Sequence, residues 1–174
     1  MLKELDEEAR KEWLYGCFRL WWATPGYESV HYPGVVRHFS VAVEIELRER
    51  LFRPFIEEAK KSGLLLKSIG QRTDKRAERW RAWLERADFK SPLGDMLQEL
   101  DPSKSSNLQP WRELQDRSHR EHANLMNRFG LLRTDRLTNL RNPAVHRTQP
   151  QSKADALEAC RLCQAFLTAL LSKS

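Results

Sequence analysis

Arg141 and His146 are the residues of this chain whose types and spacing could carry out a reaction. They stand in the run Leu140-Arg141-Asn142-Pro143-Ala144-Val145-His146, at the end of an apolar helical pattern. An imidazole that titrates near neutrality can take or give a proton, and a guanidinium can neutralise charge that builds on phosphoryl oxygens. Asn is a strong N-cap, Pro suits the first helical position, and the residue before Pro avoids the helical region. The local sequence therefore predicts a break at Asn142, with Arg141 at N′ and His146 at N4 of a new helix. Those positions are neighbours across a helix start and lie near its positive end, a place that suits a phosphate. The chemistry that fits is RNA scission by the neighbouring 2′-hydroxyl, giving a 2′,3′-cyclic phosphate and a 5′-hydroxyl. It needs no metal, and DNA lacks the nucleophile. One such His per chain favours a symmetric homodimer in which two copies of the pair share a cleft.

Other chemistries lose support quickly. The chain has no Gly-rich phosphate loop, H-E-x-x-H zinc helix, G-x-S-x-G elbow or calcium loop. A zinc module is conceivable from His119 and His122 with Cys160 and Cys163, two pairs at helical i,i+3 spacing. Cys160 and Cys163 fall, however, on the stripe Ala156, Cys160, Cys163, Leu167 and Leu170, where buried thiols serve as small apolar groups. No metal and no cofactor are expected. His31 and His38 read as structural histidines of the second helix, or as residues lining the same cleft. Trp13, Trp80 and Trp83 sit on helical stripes and read as core, whereas the adjacent Trp21 and Trp22 cannot both face inward.

The elements that must position these groups read as helices throughout. Apolar residues recur at spacings of three and four, and alternating strand patterns are missing, so the expectation is an all-α antiparallel helical bundle. Leu2, Leu5, Ala9, Trp13, Cys17 and Leu20 form a first stripe, closed by Thr24-Pro25-Gly26. A second helix opens near Pro33 with Val36, Phe39, Val43, Leu47, Leu51 and Phe55 inward, and Pro54 predicts a bend near Arg53. Trp80, Trp83, Leu84 and Ala87 mark a third helix. Ser91-Pro92 opens a fourth, bearing Leu93, Met96, Leu97 and Leu100. A loop from Asp101 to Pro110 precedes a helix from Trp111 to about Asn127 and another around Leu131 to Leu140. The last runs from about Lys153 to Leu171, where Ser152 and Asp155 spell a capping box.

The chain has 174 residues and a formal net charge of +6, and its apolar fraction of 40% can fill a sizeable core in one domain, 1–174. Three Cys, an odd number, do not read as a secreted disulfide framework. The acidic start Met1-Leu2-Lys3-Glu4-Leu5-Asp6-Glu7-Glu8 is unlike a signal peptide, and no apolar stretch is long enough to span a bilayer, so a cytoplasmic protein without membrane contact is expected. Lys67 to Lys90 and Arg112 to Arg147 each hold eight Lys/Arg against four Asp/Glu, and the remainder of the chain stands at -2. The two segments read either as solvated helix faces or as an anion footprint.

The run Arg141, Asn142 and His146 resembles the mark of the HEPN family of helical ribonucleases: Arg, four to six residues, then His, often with a polar residue straight after the Arg. The spacing recurs at Arg117 to His122 and at Arg112 to His119. Only Arg141, however, follows an apolar helix (Phe129, Leu132, Leu137, Leu140) and precedes one last amphipathic helix, as in the family. Ser91-Pro92-Leu93-Gly94-Asp95-Met96-Leu97 resembles the family's Leu-Gly helix, and Val43-Glu44-Ile45-Glu46-Leu47 its early helix with an internal carboxylate. The resemblance spans about 32–171, with residues 1–25 as an additional N-terminal helix.

It implies a HEPN-like bundle with Arg141 and His146 acting across a homodimer on an RNA substrate, Asn142 positioning the site, and Glu44 or Glu46 orienting Arg141. It also implies a defence or toxin-antitoxin setting in which an antitoxin or other regulatory protein restrains the nuclease. Pro143 departs from the smooth helix of the motif and leaves open whether Arg141 and His146 share one helix. Read on their own, Glu44 and Glu46 are also ordinary carboxylates, Arg141 a salt-bridge partner and His146 a capping residue. The other function class is a non-catalytic helical module that binds RNA or a protein partner in a larger assembly.

Overall fold

The structure, a computed structural model, describes residues 1–22, 26, 28–62, 69–70, 72–86, 91–100, 110, 112–114, 134–146 and 150–171. These residues form an all-α bundle without a strand. Its α-helices are α1 (Glu7–Trp21), α2 (Glu28–Leu47), α3 (Arg53–Ser62), α4 (Lys75–Glu85), α5 (Leu93–Leu100), α6 (Thr134–His146) and α7 (Lys153–Leu171). A short 3-10 turn, Leu2–Glu4, precedes α1, and a π-helical turn, Arg48–Phe52, joins α2 to α3.

α2 is the axis of the bundle, because apolar residues lie on most of its circumference. Val35, Val36, Phe39, Ala42, Val43, Ile45 and Leu47 are all buried, against α1 on one side and α6 and α7 on others. It opens at Glu28 and carries Pro33 inside, five residues earlier than the expected start. α1 begins where the Asp6 side chain accepts the Glu8 N–H at 2.9 Å, and the neighbouring acids Glu7 and Glu8 suit the positive end of the helix.

α1 runs antiparallel to α2: Asp6 meets Glu46, Trp13 packs on Phe39 with ring centroids 4.7 Å apart, and Arg19 lies over Gly34. The two helices touch closely at Gly16, where an added Cβ would stand 2.8 Å from the Phe39 ring. Gly16 rather than Cys17 therefore takes the buried place on the stripe, and Cys17 is exposed.

Near Arg53, where Pro54 predicts a bend, α2 passes into α3 through the π turn. A proline ring at position 54 crowds the carbonyl of the preceding turn, and the wider π spacing, in which the Arg53 N–H reaches the Arg48 carbonyl, absorbs it. Phe52, in the turn, and Phe55, beyond it, pack against Trp83 and Trp80, which are buried together with Trp13. α4 starts on Asp74, whose side chain accepts the Ala77 N–H at 3.0 Å. α4 is antiparallel to α5 through one buried carboxylate: Glu99 accepts from Arg76 Nε at 2.7 Å, Arg79 Nη1 at 3.1 Å and Trp80 Nε1 at 3.0 Å.

α7 spans the expected residues with the expected capping box. The Ser152 N–H donates to Asp155 at 2.9 Å and the Asp155 N–H to Ser152 Oγ at 3.2 Å. α6 and α7 are antiparallel, joined by a two-pronged ion pair from Arg136 to Glu158 at 2.9 and 2.7 Å. Pro110 and Arg112–Leu114 are helical, so Pro110 does not belong to the expected loop; the rest of the 101–127 expectation, and the loop reading of 101–109, lie outside the described residues.

Candidate active site

The site is built where α2, α5 and α6 meet. Glu44 lies on the side of α2 turned toward the start of α5, and its Oε2 accepts the backbone N–H of Leu93 at 2.9 Å. That N–H belongs to the first turn of α5 and has no partner within its own helix, so the carboxylate serves as a cap borrowed from another element. The same oxygen accepts from Arg141 Nη2 at 3.5 Å. Arg141 is 15% exposed and Glu44 22%, so the pair is largely shielded from water yet open on one side. The other guanidinium nitrogen, Nη1, lies beside Gly94; a Cβ there would meet it at 3.9 Å, an ordinary contact. Thus three separate stretches of sequence, 43–47, 91–97 and 140–146, converge on one guanidinium.

The two carboxylates that the sequence leaves equivalent have different tasks. Glu46 is fully buried on the α1 side of α2, where it accepts the Asp6 N–H and a hydrogen bond from Arg50 Nε, and Arg50 in turn donates to the Glu4 carbonyl. It fastens the N-terminal turn to α2 and takes no part in the Arg141 contact. Two residues along a helix is about 200° around it, which is why neighbours in sequence serve opposite sides.

The break expected at Asn142 is not present. α6 runs unbroken from Thr134 to His146 with Pro143 inside it. The preference of a residue before proline against the helical region is overridden by anchoring on both sides of Pro143. Leu137, Leu140 and Ala144 are buried, Arg136 and Arg141 are tied to Glu158 and Glu44, and Gln151 Nε2 donates to the Leu140 carbonyl. Asn142 is therefore a mid-helix residue and is exposed. Positions 141 and 146 are not neighbours across a helix start: on one helix they stand about 140° apart and about 7.5 Å along the axis. His146 closes α6, and its side chain lies outside the described residues.

The remaining candidates sort themselves by burial and pairing. Cys163 is buried, and burial pushes its thiol far above the ordinary value; Cys160 is half-buried and shifted the same way, first by burial and then by Cys17. Among the described residues no group of three or more His, Cys, Asp or Glu could hold a metal, and His119 and His122 lie outside them. His38 donates from Nδ1 to Glu12 Oε2 at 2.7 Å and packs near Tyr15, binding α2 to α1. Of the segment 67–90, Arg76 and Arg79 are spent on Glu99, Arg72 on Asp74, and Arg81 on the carbonyls of Gly70 and Arg72. These four arginines belong to a stabilised helix face; Lys67 and Lys90 lie outside the described residues. Most of the second basic segment, 115–133, lies outside the described residues.

Sequence reasoning caught the aromatic side of α1 only in part, at the adjacent Trp21 and Trp22, and missed Tyr15 and Phe18. Trp21 and Trp22 are both exposed, with Phe18 and Tyr15 alongside. The signal was available, since α1 carries apolar residues on both sides. Among the described residues no helix is long and apolar enough to cross a membrane. Comparison with family models, curated proteins and solved structures finds no match to this chain.

Proposed function

We propose that this chain is a metal-independent RNA endonuclease of the HEPN type, in which Arg141 and His146 act on a phosphodiester cleaved by its own 2′-hydroxyl. The observation that carries the reading is the Glu44–Arg141 pair at the start of α5. A guanidinium that is held by a carboxylate, shielded on most sides and set beside the positive end of a helix is pre-oriented for phosphoryl oxygens. The segments that meet there are those whose pattern resembles the family. His146 would move the proton, and Asn142, exposed one residue after Arg141, would contact the substrate. Because positions 141 and 146 stand on different sides of one helix, a composite site in a homodimer remains the arrangement that brings an Arg and a His together. The resemblance carries with it a cytoplasmic defence or toxin-antitoxin role, and the toxicity of an unrestrained RNase implies an antitoxin or other regulatory partner.

The test is incubation of the purified chain with labelled structured and unstructured RNA in excess EDTA, beside Arg141→Ala and His146→Ala, with analysis of the product ends. Cyclic-phosphate ends, reduced about 10²- to 10³-fold or more in each variant, are the expected result. Cleavage that survives both substitutions would sink the assignment.

A second reading is favoured by the same ion pair: Glu44 already satisfies part of the Arg141 charge, as in a purely structural contact. On that reading the chain is a non-catalytic helical module that binds RNA or a protein partner, and no form of it cleaves.

A further inference from the structure

α1 is apolar on two opposite sides. Ala9, Trp13 and Gly16 are buried against α2, while Leu14, Tyr15, Phe18 and Trp21 stand 49%, 57%, 56% and 79% exposed. At about 100° per residue the exposed set is centred roughly half a turn from the buried one. Phe18 stacks on Trp22 and Trp21 meets Trp22 edge-on, each with ring centroids 5.7 Å apart, so the rings form one continuous surface rather than scattered exposures. The exposed set lies in the second half of α1, at 14–22, and exceeds the single scattered apolar residues of an ordinary surface helix. With aromatic side chains of about 150–250 Å² each, the face offers on the order of 500 Å². That is a large part of the roughly 800 Å² per partner found in stable interfaces.

Charge decides what can cover it. A nucleic-acid strand stacked on aromatic rings needs free cations alongside them. Glu12 and Arg19 turn to α2, at His38 and Gly34, and the rest of α1 sets Arg10 and Lys11 against Glu7 and Glu8, a balance of zero, with Lys11 tied to Glu7 at 2.7 Å. The whole chain carries +6, so two copies repel over much of their surface, and this neutral side is where like chains can meet without opposing like charges.

We propose that the outer side of α1 is a self-association surface, on which α1 of one copy packs against α1 of a second copy about a twofold axis. An antiparallel crossing sets opposite helix ends side by side, which the backbone dipoles favour. This contact is separate from the Arg141 site. α1 meets α2 through His38, Phe39 and Glu46, whereas Arg141 meets α2 at Glu44, about 200° around the helix from Glu46. A pair joined through α1 keeps both Arg141 side chains on its outer flanks. It forms whether or not the chain cleaves RNA.

Light-scattering masses over a concentration series, for the wild type, Phe18→Glu and Trp21→Glu, test the proposal. Far-UV circular dichroism and urea midpoints verify the fold, and Trp21→Ser serves as a milder second change. The expected result is a wild-type mass that doubles with concentration and variants that are folded as the wild type but hold half its mass. A wild type that stays monomeric up to its solubility limit overturns the proposal, as do folded variants that associate like the wild type.

Discussion

Arg141 and Glu44 share one contact of 3.5 Å, and Glu44 spends the same oxygen on the Leu93 N–H at 2.9 Å, so one carboxylate both caps α5 and orients a guanidinium. Gln at position 44 keeps an acceptor for the N–H and removes the charge that holds Arg141, which separates the two tasks. Glu44→Gln should lower stability by less than about 1 kcal/mol, since the ion pair is partly hydrated. On the proposed function it should lower RNA cleavage by about ten-fold or more, because the guanidinium is no longer fixed. Glu46→Gln should do the reverse. It weakens a buried acceptor of Asp6 and Arg50 and costs about 1–3 kcal/mol in urea unfolding, with cleavage per folded molecule unchanged. Equal losses of cleavage in both would remove Glu44 from the site. The sequence offered Glu44 and Glu46 as equals, because both lie beside the apolar stripe of α2. Which one faces α6 depends on where α1 and α5 pack.

At the scale of elements, most helices were legible from periodicity and end signals, and the misreadings cluster at prolines. Pro33 and Pro143 lie inside helices, and Pro54 is absorbed by a π turn. Local preference opposes each, and packing on both flanks outweighs it, at a cost in backbone bonding of the order of 3 kcal/mol or more per interior proline. The α1–α2 crossing gives a prediction of the opposite kind. Gly16→Ala should gain about 1 kcal/mol of helix propensity. It should lose more, because the new methyl stands 2.8 Å from the Phe39 ring and overpacking typically costs about 1–3 kcal/mol. The urea midpoint should fall, and Gly16→Ala combined with Phe39→Leu should recover part of the loss; a rise in the single variant would mean that α1 is not packed this closely.

For the whole molecule, acid stability depends in part on two helix starts. The backbone N–H and the hydroxyl of Ser152 hold the Asp155 carboxyl below its usual range, and the Ala77 N–H, then Arg72, do the same for Asp74. A carboxyl that is more acidic in the folded chain than in the unfolded one contributes stability above the unfolded value, about pH 4, and loses it as pH falls through the lowered folded value. The urea midpoints of wild type and Asp155→Asn should differ most above about pH 4 and converge below it. A gap that stays constant across that window would show that the cap does not depend on charge. The +6 of the chain gives no comparable guide to function, since the described arginines of 72–81 are committed to internal acids and carbonyls.

The amino-acid sequence by itself determined the helical class, the last helix with its capping box, the buried tryptophans Trp13, Trp80 and Trp83, and the burial of Cys163, because each follows from local spacing and from the hydrogen bonding of nearby residues. Only the tertiary structure decided that α6 passes through Pro143, that Glu44 rather than Glu46 meets Arg141, and that α1 leaves an aromatic side uncovered. Each of these depends on groups far apart in the chain. Long-range packing can outweigh a local preference of a few kcal/mol, and no reading of neighbouring residues contains it.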